Sequence, residues 1–241
     1  MKQHRMFGMV AGALLATMLV GNAALAASDG KSSYNPRIRP KDFVSTIDNP
    51  YLPFQPGNRW VYEKVTDEGI ERIVLEVSEE TKRVQGVETT VVHDTVTLDD
   101  IIIEDTWDWY AQDKAGNVWY FGEDTHEYED GVPVNSHGAW QAGVDGAKAG
   151  IVMLARPLVG DRYRQEYYAG EAEDMAKILS LTDTVDVPFG SFNGVLKTKD
   201  FTPLEPGVAE HKLYAKGVGV VLELSVTDGG ARTELIEFTT G

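Results

Sequence analysis

Cysteine is absent from all 241 residues. That excludes disulfide staples, Cys-ligated zinc and thiol catalysis, and it removes the residue that an N-terminal lipid anchor would modify. Basic residues are scarce. The 22 Lys and Arg stand against 38 Asp and Glu, a formal charge of −16. A surface of that sign repels nucleic acid and anionic lipid, so neither is expected as a partner. After residue 26 no apolar run is long enough to cross a bilayer as a helix, which takes about 20 residues. Catalytic signatures are also missing. There is no G-x-S-x-G, since Gly190-Ser191-Phe192-Asn193-Gly194 has the wrong order and reads as a turn. No phosphate-cradling glycine loop and no H-E-x-x-H occur. His93 and Asp94 are neighbours in a strand pattern and point to opposite faces, which removes them as an orienting pair. The reading leans away from an enzyme. A glycosidase built on two carboxylates is the catalytic alternative that so acidic a chain leaves standing.

The first residues carry a clear pattern. Lys2, His4 and Arg5 precede an apolar stretch from Met6 to Val20, and the segment ends on Ala24-Leu25-Ala26. A short positive region, an apolar core and a small-x-small end predict a cleavable secretory signal over 1–26, hence a periplasmic or secreted protein. Cleavage removes Lys2 and Arg5, taking the basic residues from 22 to 20 against an unchanged 38 acidic ones, for a mature charge of −18.

Residues 27–57 hold Pro36, Pro40, Pro50, Pro53 and Pro56. Proline fixes φ and lacks a donor, so this stretch is expected as an extended arm. Phe43, Ile47, Tyr51, Leu52 and Phe54 are the residues that would tack it to the body. From 58 to 241 strand follows strand. Arg59–Val65 and Ile70–Val77 flank Asp67-Glu68-Gly69, a turn signal. Val84–Val87 and Thr89–Leu98 come next, and in the latter Val92, Val96 and Leu98 share one parity against His93, Thr95 and Thr97. Ile101–Gln112 and Val118–Glu123 flank a hairpin loop at 113–117, and Asp130-Gly131 marks another. Residues 135–161 are punctuated by glycine, a long connection of the kind that often covers a site. Glu171–Leu179 reads as a short helix or an irregular crossing, with a strand continuing into Leu181–Val187 as the alternative. Four further strands follow, Val195–Phe201, Glu210–Ala215, Val218–Val226 and Arg232–Phe238.

Two stretches stand out as candidate surfaces. Aromatic residues crowd Trp107, Trp109, Tyr110, Trp119, Tyr120 and Phe121. Trp107, Trp109, Trp119 and Phe121 would line a ligand concavity, capped by Trp140 from the glycine-rich connection. Ordinary cross-strand packing is the competing account. Acidic residues crowd Glu123, Asp124, Glu127 and Asp130 around His126. Those five are a candidate set for a hard cation such as calcium, the one cofactor in view, which needs six to eight oxygen ligands. A solvated hairpin is the competing account there.

Three segments resemble those of uncharacterised exported bacterial β-rich proteins. They are the V-x-V-P-x-G-x-F run Val185–Phe192, the Y-A-x-G-V-G-x-V run Tyr214–Val221, and the opening strand Pro56–Tyr62. The resemblance implies a curved sheet or half-barrel similar in broad shape to periplasmic lipoprotein carriers, which hold acyl chains in an apolar concavity. It carries over no functional residue.

The expectation is therefore a signal peptide over 1–26, a proline-rich arm over 27–57 and a β domain over 58–241. The fold class is all-β: a strongly curved antiparallel sheet, half-barrel or barrel, with at most one or two short helices. The leading function is a non-enzymatic exported binding protein for an apolar or amphipathic small ligand such as a lipid. A cation-binding envelope protein is the alternative, and an interaction protein whose arm donates a strand is the third.

Overall fold

The computed structural model describes residues 34–227 and 229–241. The signal-like segment 1–26 and the first residues of the arm lie outside the described residues. From Tyr34 the chain is irregular, with one 3₁₀ turn at Pro40–Asp42 and a two-residue strand β1 (Phe43–Val44). The body begins with β2 (Arg59–Thr66), β3 (Gly69–Val84), β4 (Val87–Leu98), β5 (Ile101–Asp113) and β6 (Val118–Glu129). Short strands follow as β7 (Val132–Asn135), β8 (Trp140–Gln141), β9 (Lys148–Met153), β10 (Arg162–Arg164) and β11 (Glu166–Tyr167). The chain ends with β12 (Met175–Val187), β13 (Gly190–Phe201), β14 (Glu210–Ala215), β15 (Gly219–Ser225) and β16 (Arg232–Thr239).

Thirteen of these sixteen strands follow one antiparallel path, β10-β12-β13-β14-β15-β16-β2-β3-β4-β5-β6-β9-β11. The path starts on β10 and ends on β11, and only Gln165 separates those two in the chain. One stretch, Arg162–Tyr167, thus pairs with β12 through its first half and with β9 through its second. That switch of partner brings the sheet round to an almost closed barrel. Gly150 permits it: a Cβ there would run into the carbonyl of Gln165 and the backbone nitrogen of Glu166. Curvature shows in the electrostatics too. Asp94 on β4 feels Glu223 on β15, four strands away, which on a flat sheet would be about 19 Å.

Two expectations are corrected. Val84–Val87 is a turn between strands, not a strand. Gln85 and Gly86 both have positive φ, at 49° and 80°, the requirement of the two-residue hairpin whose twist matches its strands. Gln85 carries none of the usual turn chemistry, which hid the turn. Glu171–Leu179 is neither helix nor irregular throughout, because β12 starts at Met175. Ala176 and Ile178 are fully buried between less buried neighbours, a period of two.

The two ends of the barrel differ. At one, the arm sits against the hairpins. Asn49 donates its amide to the carbonyls of Gly116 (2.9 Å) and Leu154 (3.2 Å), and Gly217 donates to Pro50 (2.7 Å). Phe54 enters the interior and meets Trp60 at 5.7 Å and Tyr110 at 5.0 Å between ring centres. With Leu75, Val77, Val118, Met153 and Leu196 this makes a packed apolar core. A side chain of this kind contributes about 1.5–3 kcal/mol when fully buried. At the far rim lie the turns at 67–68, 99–100 and 130–131 and the 202–209 connection.

Candidate functional site

Strand parity carries acids inward. On β4, Asp94 falls in step with Val92 and Val96, and on β5, Glu104, Thr106 and Asp108 fall in step with Tyr110. Glu123, Glu166, Asp174, Asp200 and Glu223 join them, all buried, with Lys64 and Lys212 as the interior cations. Lys212 lies 3.3 Å from Glu223, and Lys64 lies 3.3 Å from Glu71.

Burial, more than any neighbour, displaces the carboxyls from ordinary behaviour. It pushes Asp108 up to about 8, against the hydrogen bond that the Tyr120 hydroxyl donates at 2.6 Å. Burial and then Glu127 push Glu104 up to about 7. Glu223 rises to about 8 and Asp174 to about 7, in each case by burial against the pull of Lys212. Asp94, Glu123 and Glu166 are raised well above the carboxylate range by burial, with Asp108 adding to each. Burial works against Lys212's charge, but Glu223, Asp200 and Glu210 outweigh it and hold the ammonium. Among the described residues, both oxygens of Asp94 and the second oxygen of Asp108 have no hydrogen-bond partner. An ionised carboxylate so placed would be costly by several kcal/mol, so these groups hold protons near neutral pH.

The five aromatic residues read as one ligand wall are spread over both faces of the sheet. Trp140, on β8, is inside, edge-on to Tyr120 at 5.4 Å. Trp119 and Phe121 are outside, where Phe43 of β1 covers them at 6.2 and 5.5 Å. Trp109 is outside as well, with the Lys82 ammonium 3.2 Å from its ring centre. Trp107 is outside, 36 % exposed, and stacks on His93 at 4.6 Å.

The acidic candidate set is likewise divided. Trp119, Phe121 and Glu123 share sequence parity, yet Glu123 is inside and buried. The cause is a bulge at Gly122: Asp108 pairs Glu123 and Tyr110 pairs Tyr120, so Phe121 and Gly122 together oppose Trp109 alone. Gly122 has φ 122° and lies against the carbonyl of Trp140, so no side chain fits there. Asp124 is exposed opposite Trp107, His126 lies opposite Asp105 on the outer face, and Asp130 is in the β6–β7 turn. Glu127 faces Glu104 and accepts from Asn135 at 2.7 Å. Among the described residues no group of three or more His, Asp or Glu has metal-holding geometry.

Asp130 does belong to a recess. A hollow of about 330 Å³ lies at the far rim, lined by Leu98, Ile101, Ile103, Tyr128, Glu129 and Asp130. Its floor is aliphatic and aromatic, and its edge carries two carboxylates. The volume falls at the small end of the range for ligand sites. Leu98 and Ile101 flank the Asp99-Asp100 turn, whose φ values of 47° and 66° make the same tight hairpin as Gln85-Gly86. Sequence reading took these residues for plain strand ends. The missed signal is Ile101-Ile102-Ile103, three apolar residues running straight out of an Asp-Asp turn.

No protein family and no curated protein matches the sequence. Two solved structures resemble the chain. One, named an exported protein with a YmcC-like fold from Bacteroides fragilis, is 13 % identical with a TM-score of 0.46, covering 79 % of this chain and 99 % of that one. The other, named a lipoprotein from Parabacteroides distasonis, is 11 % identical with a TM-score of 0.44 and the same coverage. Among the described residues no helix is long and apolar enough to cross a membrane.

Proposed function

We propose that this chain is an exported, non-enzymatic binding protein that takes a small ligand with an apolar body in the recess at the far rim. Residues 1–26 would be the secretory signal, 27–57 the arm and 58–241 the binding domain, placing the mature protein in the periplasm or outside the cell. The recess carries the reading: about 330 Å³ with Leu98, Ile101, Ile103 and Tyr128 presenting apolar surface. Ile101 is 53 % exposed, and covering such surface is what gives a ligand of this kind its affinity. Phe54 of the arm occupies part of the interior against Trp60 and Tyr110, which favours the rim over that end of the barrel as the binding place.

The test is calorimetry with short alkyl amphiphiles against the protein and its Ile101→Arg variant. Saturable binding to the protein that is lost in the variant supports the reading. A full panel without heat, or binding that ignores the substitution, ends it. Residue 101 is exposed, so the variant folds, and its melting temperature checks this.

A further inference from the structure

We infer that the ligand of the rim recess is cationic: an ammonium or similar positive head on a short apolar body. This rests on the recess being the binding site. The apolar floor faces two carboxylates at its edge, Glu129 and Asp130, both exposed. The segments that build it, 98–104 and 123–131, contain no Lys or Arg, and beside Glu129 and Asp130 they expose Asp99, Asp100 and Asp124. On the neighbouring strands, Lys64 is engaged by Glu71 at 3.3 Å and Arg72 by Glu63 at 3.0 Å. His126, the one basic side chain in those segments, lies on the outer face opposite Asp105. An anionic head would meet only like charge, and a neutral one would leave the carboxylates unused. An ammonium head would be drawn to two carboxylates while its chain covers Leu98, Ile101 and Ile103.

Octylammonium, octanol and octanoate share a chain and differ in charge, so titrating the protein with each separates the two claims. The expected result is octylammonium binding about tenfold or more tightly than octanol, with no binding of octanoate. The Glu129→Gln, Asp130→Asn double variant should bring octylammonium to the octanol level and leave octanol unchanged. Added salt should weaken octylammonium alone. Equal binding of all three, abolished by Ile101→Arg, would keep the recess and overturn the charge. Equal binding of octylammonium and octanol in the protein and the double variant alike would do the same. No binding of any of the three would overturn the recess and the charge together.

Discussion

Asp108 is a carboxyl that the fold keeps from ionising. Its side chain is fully buried, Tyr120 donates to one oxygen, and the other has no partner among the described residues. An amide in its place keeps the acceptor for Tyr120 and cannot ionise. Asp108→Asn should therefore stabilise the protein at about pH 8.5 by on the order of 2 kcal/mol more than near pH 5, a difference that urea melts at the two values would read. The same gain at both pH values would show that the carboxyl is already relieved of its charge by some other means. Asp124→Asn, on the exposed outer face, is the control and should be neutral at both. These acids were half legible in the sequence. Asp94 keeps step with Val92 and Val96, so parity alone places it on the apolar face. With 38 acids in the chain, each looked like surface. Glu123 was not legible at all, because the bulge at Gly122 that turns it inward is made by the close passage of Trp140, distant in sequence and unsignalled by local pattern.

At the scale of elements, two junctions hold the barrel, and neither is a strand. One is the crossing of Gly150 over Gln165, where a single stretch changes partner from β12 to β9. Gly150→Ala should cost about 1–3 kcal/mol or more by forcing those backbones apart, lowering the urea midpoint. An unchanged midpoint would mean that the crossing is looser than described. The other is Asn49, which serves the carbonyl of Gly116 in the β5–β6 turn and that of Leu154 just after β9 with its amide, while its side-chain oxygen accepts from the backbone of Tyr51 at 2.9 Å. Asn49→Ala should cost about 1–3 kcal/mol through the unpaired groups it leaves, and limited proteolysis should cut first within 40–57. The strands could be read from alternation and turn residues. The junctions could not, because they join segments that are far apart in the chain and carry no periodicity. The hairpin at Gln85-Gly86 escaped for another reason: Gln85 takes up a left-handed conformation that its residue type only infrequently adopts.

For the whole molecule, the interior acids set the response to pH. Asp108 and Glu223 stand at about 8 and Glu104 and Asp174 at about 7, all above their unfolded values near 4. The folded chain therefore binds more protons than the unfolded one between roughly pH 4 and 8, and stability must fall as pH rises through that window and level off above it. Lys212, raised rather than lowered, acts only at higher pH. Urea unfolding from about pH 5 to 9 should show this decline, and a flat or rising profile would contradict it. The all-β class was legible from a dozen alternating segments and the curvature was implied by the resemblance, whereas closure of the sheet was not legible, since it depends on one residue between β10 and β11. Closure has a consequence in time. The strand that opens the barrel, β2, is flanked by β3 on one side and by β16, the last strand of the chain, on the other. The arm's acceptors at Gly116 and Leu154 also come long after it. Whatever order the chain emerges in, neither the first strand nor the arm can settle until distant segments have arrived, and topologies of this kind fold slowly. Were the chain exported as proposed, its passage through a channel unfolded would be well served by a fold in which β2 and β16 have to meet before the barrel is complete.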